Sequence, residues 1–191
     1  MAAPGGTRPV GPFPRRVGDD PAAHEDYDKL RRRVLWSLPY GLYVLGSRGE
    51  IDGVDRRNGM TINFVTQLSF DPKLIGVGVD CAALTHDLVS KGQVFSVCTV
   101  DREDRAIVRK FTKPVEVDLD AMTLNGFAFH DGATGAPILD QAPAYVDCEV
   151  RQTIELGSHS LFVGEIVDCG FQKDEATPVL RMEDTRMNYG G

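Results

Sequence analysis

One run of the chain carries an unusual number of hydrogen-bonding side chains. Between positions 58 and 72, the sequence NGMTINFVTQLSFDP mixes apolar residues with polar ones. The polar side chains are those of Thr61, Asn63, Thr66, Gln67 and Ser69. A strand buries such groups only where they meet a partner, since each unpaired one costs about 1–3 kcal/mol. The run therefore predicts either a solvent-facing edge strand or the lining of a cleft that binds a polar ligand.

A second candidate site lies where the segment LIGVGVD (74–80) is followed by ALTHDLVSKGQ (83–93). The later segment is typical of a helix with Thr85 as its N-cap and Gly92 as its C-terminal stop. A helix start presents free backbone N–H groups and a positive dipole end, which suit a phosphate. His86 and Lys91 would add positive charge. The alternative is an ordinary capped helix with a solvated lysine.

Motifs of several other chemistries are absent from the sequence. Gly76 and Gly78 lie in an apolar run, but Cys81 stands where a dinucleotide-binding fingerprint needs its third glycine. Neither a P-loop nor a Gly-x-Ser-x-Gly elbow occurs. Ser158 and His159 are neighbours, which does not by itself indicate a catalytic triad. The four cysteines lack zinc or Cys-x-x-Cys spacing, so we predict small apolar side chains within strands, without metal or disulfide.

Composition and charge restrict the class of protein. The chain has 191 residues, and its 21 lysines and arginines are outnumbered by 28 acidic residues, for a net charge of −7. This length suits one domain with a full core, and the acidic balance argues against nucleic acid or an anionic membrane as a partner. No apolar run approaches the roughly 20 residues of a membrane span. The N-terminal residues show no hydrophobic signal region, so we expect a cytoplasmic protein.

The hydrophobic pattern predicts the elements that position these residues. Apolar residues at helical spacing follow Asp26, the expected cap of a first helix that Pro39 ends. Further helices are predicted at 83–93 and 101–111. Predicted strands are the β-branched and aromatic runs 42–47, 59–68, 73–80, 93–100, 114–119, 144–155 and 159–171. So many strands with few helices indicate a mainly β fold, an antiparallel barrel or sandwich.

The N-terminal segment differs in composition from the remainder of the chain. Residues 1–24 are rich in proline and glycine and poor in apolar side chains. Such a segment buries too little surface to offset the entropy lost on ordering. We predict a flexible extension over 1–24 and a folded domain over 25–191.

Five segments, in order along the chain, resemble those of the flavin reductase-like proteins, the FMN-binding split-barrel family. They are the stretches 39–44, 58–72, 81–95 and 157–166, together with Phe111. The resemblance covers residues 27–171 and is nearest to flavoredoxin and to the flavin domains fused to rubredoxin-type proteins. It implies an FMN-binding split β-barrel with antiparallel, Greek-key-like strands, a few flanking helices and assembly as a homodimer.

The resemblance also implies a set of residues that contact FMN or, alternatively, FAD. Met60, Thr61, Ile62 and Asn63 would line the isoalloxazine edge, largely through backbone groups, and Gln67 and Ser69 would meet the ribityl chain. Cys81, Ala82, Thr85 and Lys91 would surround the phosphate, and Phe111 would pack on the flavin. His159 is the implied catalytic residue, near the ring and the nicotinamide. Considered alone, a histidine in a hairpin is more often an exposed turn residue.

The function that the resemblance implies is NAD(P)H:flavin oxidoreductase. Amino-acid side chains cannot accept a hydride, so the flavin would take it from NADH or NADPH. A monooxygenase is one candidate consumer of the reduced flavin. Two alternatives stay open: a flavoredoxin-like protein that passes electrons from FMN to a protein partner, and a binding module that uses the barrel only as a scaffold.

Overall fold

The structure is a computed structural model that describes residues 13–185. Within these residues, 13–39 belong to one compact unit and Tyr40–Thr185 form a second. No helix of the described part is long and apolar enough to cross a membrane. The same residues contain no group of histidine, cysteine, aspartate and glutamate side chains arranged to hold a metal ion.

The first unit consists mainly of helix α1, Pro21–Trp36. Its N-cap is Asp20, whose carboxylate accepts a hydrogen bond from a first-turn backbone N–H at 3.1 Å. The prediction of Asp26 as the cap is wrong, because an aspartate followed directly by proline is the better helix start. The helix therefore begins inside the segment predicted as a flexible extension. Residues 1–12 of that segment lie outside the described residues.

The second unit contains all the strands of the described residues. In chain order they are β1 (Tyr43–Ile51), β2 (Val54–Ile62), β3 (Val65–Phe70), β4 (Lys73–Asp80), β5 (Val94–Thr99), β6 (Val117–Asp118), β7 (Thr123–Leu124), β8 (Phe127–Asp131), β9 (Pro137–Leu139), β10 (Ala144–Glu155) and β11 (His159–Phe171). Helix α2 (Leu84–Gly92) lies between β4 and β5, and helix α3 (Arg105–Lys110) follows β5.

The strands form two antiparallel sheets. The larger sheet has the order β2-β1-β5-β10-β11-β4-β3, and β6 to β9 form a four-stranded sheet. The edges of the larger sheet are β2 and β3, which only Asn63 and Phe64 separate in sequence. The sheet must therefore curl until its edges adjoin, although no ladder joins β2 to β3. This open barrel confirms the predicted split-barrel fold.

The observed strand bounds show which strand predictions are correct. The predicted strands 73–80, 144–155 and 159–171 coincide with β4, β10 and β11. A single strand over 59–68 is wrong, since β2 ends at Ile62 and β3 begins at Val65. The polar and apolar residues continue without interruption across the break, so the sequence pattern does not reveal it.

The barrel interior is filled by apolar side chains from the sheet and from α2. Buried members of this core are Leu45, Ile62, Val77, Val79, Val89, Phe95, Val97, Cys148 and Phe162. Gly92 lies inside α2, where a Cβ would overlap the carbonyl oxygen of Arg48 in β1. The prediction of Gly92 as the helix stop is wrong: Gln93, with φ of 57°, is the left-handed C-cap. The glycine permits close packing of α2 on β1.

Candidate functional site

The connection between β2 and β3 contains a buried amide without a partner. Asn63 is 2% exposed, and its Nδ2 group donates no hydrogen bond to any described residue. The backbone around it is fixed, because the Asn63 carbonyl accepts from Val65 N–H at 3.0 Å and the Phe64 carbonyl accepts from Gly78 N–H at 2.9 Å. A buried donor without a protein partner is satisfied by a ligand or by an ordered water, so Asn63 is a candidate ligand contact.

The other predicted ring-lining residues hold β2 in place. Ile62 is part of the barrel core, and Met60 packs against that core. The side chain of Thr61 lies on the other face of β2, toward α3. Its N–H donates to the Phe111 carbonyl at 3.0 Å, and its hydroxyl donates to the Val108 carbonyl at 2.7 Å. Among these residues, the uncommitted side-chain donor is that of Asn63.

Phe111 is buried rather than presented to a ligand. Its side chain is 1% exposed, and its ring is 5.7 Å from that of Phe127, measured between centroids. A Cβ at Gly59 would lie 2.7 Å from the Phe111 ring, so the glycine allows the ring to pack directly on β2. The implied stacking of Phe111 on a flavin does not fit this burial. Its role in the structure is to anchor Thr61.

The start of α2 has no side-chain cap. Ala83 occupies the N-cap position, and Thr85 lies within the first turn, 1% exposed. The Thr85 hydroxyl accepts from Asn58 Nδ2 at 2.9 Å, which ties the helix start to β2. The prediction of Thr85 as the N-cap is therefore wrong, because its hydroxyl is committed to another strand. The N–H groups of Ala82, Ala83 and His86 already donate within the protein. An anion could bind only the first-turn N–H groups that have no acceptor in the protein.

Polar side chains surround this helix start. Cys81 is exposed, and Ala82, also exposed, donates its N–H to the Asp80 carboxylate at 2.9 Å. The Cys81 Sγ atom lies 3.7 Å from Ser160 Oγ, which in turn lies 2.9 Å from His86 Nε2. Strands β4 and β11 bring these residues together, since Asp80 pairs with His159 in the sheet. The predicted residues Cys81 and Ala82 thus lie at an accessible surface.

An aromatic row leads from this surface to the connection between β2 and β3. The His159 ring is 5.6 Å from that of Phe64, which is 5.9 Å from that of Tyr40. His159 is half-buried, and its Nδ1 atom lies 2.9 Å from the hydroxyl of Ser158. Phe64 directly follows Asn63 in sequence, so the row reaches the connection that also carries the unpartnered amide. The half-buried ring differs from the exposed turn residue that was the alternative for His159, and its catalytic role stays a prediction.

Three further predicted residues lie apart from the helix start. Lys91 is in the last turn of α2, and a rise of about 1.5 Å per residue places it roughly 10 Å from the first turn. The place of Lys91 among the phosphate contacts stays a prediction. Gln67 and Ser69 lie in the edge strand β3, where Gln67 Nε2 donates to the Ser69 carbonyl at 3.2 Å. This bond spans a bulge opposite β4.

The described residues thus combine a split barrel, a helix start without a side-chain cap and an unpaired amide between the edge strands. The model of the flavin reductase like domain matches residues 35–190. The chain belongs to this family.

Individual relatives agree with the family assignment. The chain is 30% identical over 71% of its length to a high molecular weight rubredoxin of Moorella thermoacetica, of which the match covers 58%. The structure of the Streptomyces globisporus NADH:FAD oxidoreductase SgcE6 with NAD and FAD fragments is similar at a TM-score of 0.67 and 25% identity, covering 82% of this chain and 88% of that one. The styrene monooxygenase flavin reductase SMOB of Pseudomonas putida is similar at a TM-score of 0.64 and 29% identity, covering 78% and 90%.

Proposed function

We propose that the chain is an NAD(P)H:flavin oxidoreductase, which transfers a hydride from NADH or NADPH to FMN or FAD. The family assignment supports the class of reaction, and so do the activities in the names of SgcE6 and SMOB. The observation that carries the proposal is the unpartnered Asn63 amide. A flavin ring offers carbonyl and ring-nitrogen acceptors along one edge, which are the partners that this donor lacks.

The site residues fit a flavin at both ends of the ligand. The ring supplies the hydride-accepting chemistry. Asn63 would donate to an acceptor of the ring, and the N–H groups at the start of α2 would hold the phosphate. The bond from Asn58 to Thr85 fixes that helix start to β2, so both anchors belong to one rigid frame. Preorganised donors of this kind orient a ligand without reorganising when it binds.

The proposal is tested by stopped-flow absorbance after anaerobic mixing of the FMN-loaded protein with NADH or with NADPH. We expect the absorbance of oxidised flavin to fall with at least one donor. If neither donor bleaches the flavin, the reductase proposal fails. Retention of FMN through gel filtration, together with negligible nicotinamide oxidation, would instead favour the flavoredoxin-like alternative.

His159 is the proposed catalytic residue, because it lies half-buried beside Phe64 at the edge of the site. In His159→Ala we expect kcat for FMN reduction by NADH to fall about tenfold, since the donor loses a positioning contact. The Kd for FMN should change by less than about threefold, because no anchor of the flavin is removed. Ser158→Ala is the control, because it removes the hydroxyl next to His159 and keeps the imidazole. An FMN Kd that rises as much as kcat falls would assign His159 a structural role instead.

Cysteine alkylation tests whether the flavin covers the start of α2. Burial raises the pKa of Cys98 and of Cys148 to about 12, whereas Cys81 and Cys169 are exposed. At about pH 8 we expect N-ethylmaleimide to label the exposed pair at least about tenfold faster than the buried pair. Saturating FMN should protect Cys81 and leave Cys169, the internal control, unchanged. Peptide mass spectrometry measures both rates, and equal labelling of Cys81 with and without FMN would contradict the proposed phosphate position.

The proposal also covers the oligomeric state, the cellular location and the protein that receives the reduced flavin. We propose a homodimer in the cytoplasm that delivers reduced flavin to a partner monooxygenase, with an electron-transfer protein as the alternative acceptor. The name of SMOB, a flavin reductase of styrene monooxygenase, supports the oxygenase as partner. Sedimentation velocity of the purified chain tests the homodimer.

A further inference from the structure

The C-terminal part of the described chain forms a strap, residues 178–184, at the ends of two neighbouring strands. Leu180 lies within the strap and is 1% exposed. Its N–H donates to the Val100 carbonyl at 2.8 Å, and its carbonyl accepts from Leu42 N–H at 3.1 Å. Val100 directly follows β5 and Leu42 directly precedes β1, two strands that pair in the sheet. The strap is therefore bonded to both strand ends through its backbone.

One residue holds both ends of the strap. The N–H of Arg102 donates to the Pro178 carbonyl at 2.9 Å, and its guanidinium donates to the Asp184 carboxylate at 3.1 Å. The same Asp184 oxygen accepts from Arg181 N–H at 3.0 Å, which closes the short 3₁₀ turn Met182–Asp184. The Asp184 side chain is 18% exposed, so salt screens this ion pair less than a fully exposed one. Arg102 and Asp184 together define the path of the strap.

The strap is bonded to Tyr40. The N–H of Met182 donates to the Tyr40 carbonyl at 2.9 Å. The next residue, Gly41, forms an antiparallel bridge with Arg181. Tyr40 is half-buried, and its ring is 5.9 Å from that of Phe64, measured between centroids. The strap thus fixes the backbone of the residue at one end of the aromatic row.

The row crosses the connection between the two edge strands. Phe64 lies in the connection from β2 to β3, and no ladder joins those strands. A Cβ at Gly78 would lie 3.2 Å from the Cβ of Phe64, so the side chain of Phe64 packs directly on β4. Its ring also contacts that of His159, with the centroids 5.6 Å apart. The position of Phe64 is thus set by β4 and by the two neighbouring rings.

We propose that Arg102 and Asp184 are positioning residues for the proposed flavin site. They act through the strap and Tyr40, whose ring holds the rest of the aromatic row in the arrangement that a bound flavin requires. The inference rests on the proposed function, which places the flavin ring at Asn63, next to Phe64 in sequence. Aromatic pairs prefer offset or edge-to-face geometries, so a displaced Tyr40 changes the packing of Phe64 as well. The alternative is a purely stabilising role, in which the strap only covers the end of the sheet.

A double-mutant cycle tests whether the ion pair acts through Tyr40. In the FMN-loaded full chain, Arg102→Ala is expected to lower kcat for FMN reduction by NADH about threefold, less than His159→Ala does, because the imidazole is still present. Arg102→Lys, which keeps the charge, should restore most of kcat. On a Tyr40→Leu background, Arg102→Ala should change kcat by less than about 1.5-fold, because the residue that it positions is already gone. A purely stabilising strap predicts the same fold-change on both backgrounds.

A measurement without flavin tests the link from the strap to the row. The ring current of Phe64 shifts the imidazole resonances of His159, which His159→Ala identifies in the NMR spectrum of the flavin-free chain. These resonances are expected to move in Arg102→Ala and to return toward their wild-type positions in Arg102→Lys. They should stay in place in the control Arg151→Ala, which removes an ion pair between β10 and β11. Thermal melting checks that every variant is folded.

The two measurements separate this inference from the proposed function. If the wild type reduces FMN, but Arg102→Ala changes neither kcat nor the His159 resonances, the proposed function stands and the inference falls. Equal fold-changes in kcat on the two backgrounds also overturn it. If the wild type reduces FMN with neither donor, the proposed function fails and the positioning role falls with it, even where the resonances move.

Discussion

Replacement of Asn63 by leucine is expected to weaken FMN binding by about 10- to 100-fold without destabilising the flavin-free protein. Leucine has the same number of side-chain heavy atoms and the same branching as asparagine, and it removes a buried donor that has no partner among the described residues. The folded protein no longer bears the cost of that donor, so its free energy of unfolding should stay equal or rise. Under the proposed function, the bound flavin would lose a hydrogen bond.

The matched control is Asn58→Leu, five residues earlier and within β2. The amide of Asn58 is also buried, but it donates to Thr85 at 2.9 Å. Its loss leaves the Thr85 hydroxyl without that partner and should lower the free energy of unfolding by about 1–3 kcal/mol. Urea denaturation measures stability, and quenching of FMN fluorescence measures binding. If Asn63→Leu destabilises the flavin-free chain as much as Asn58→Leu does, Asn63 has an internal partner and the site assignment fails.

Gly92→Ala is expected to lower the free energy of unfolding by about 3 kcal/mol. In an ordinary helix, this change stabilises the protein by roughly 1 kcal/mol. Here the added Cβ would overlap the Arg48 carbonyl oxygen, a backbone atom that cannot turn aside. Helix α2 must then move away from β1. Its first turn moves with it, so we also expect weaker FMN binding.

Gly53→Ala controls for the loss of a glycine as such. A Cβ at Gly53 meets nothing within 4 Å, and the positive φ of 75° should cost only about 1 kcal/mol. Urea denaturation with equal m-values in all three chains gives the comparison. An effect of Gly92→Ala no larger than that of Gly53→Ala would show that α2 does not pack on β1 as described.

The fold class could be predicted from the sequence because strand periodicity is local. The runs that became β4, β10 and β11 carry β-branched residues up to clear turn residues, and their bounds were correct. The four-stranded sheet was largely missed, since β7 has only two residues and β9 only three. Elements this short are defined by their partners rather than by their own composition.

The site was predicted less completely, because its properties also depend on partners that are distant in sequence. Asn63 was identified as a polar residue in an apolar run, but its lack of a partner depends on distant residues that enclose it. Thr85 looked like a helix cap, and only the fold shows that Asn58 occupies its hydroxyl. The bond from Asn125 to the Lys110 carbonyl spans 15 residues, a separation that a local sequence pattern does not reveal.

The missing ladder between β2 and β3 gives the barrel a seam. In a closed barrel, any widening breaks backbone hydrogen bonds between neighbouring strands. In this one, the two edges are joined by the peptide bonds through Asn63 and Phe64 alone. The barrel can widen at that seam without breaking hydrogen bonds between strands. A planar ligand could therefore insert between β2 and β3 while the six ladders of the sheet stay intact.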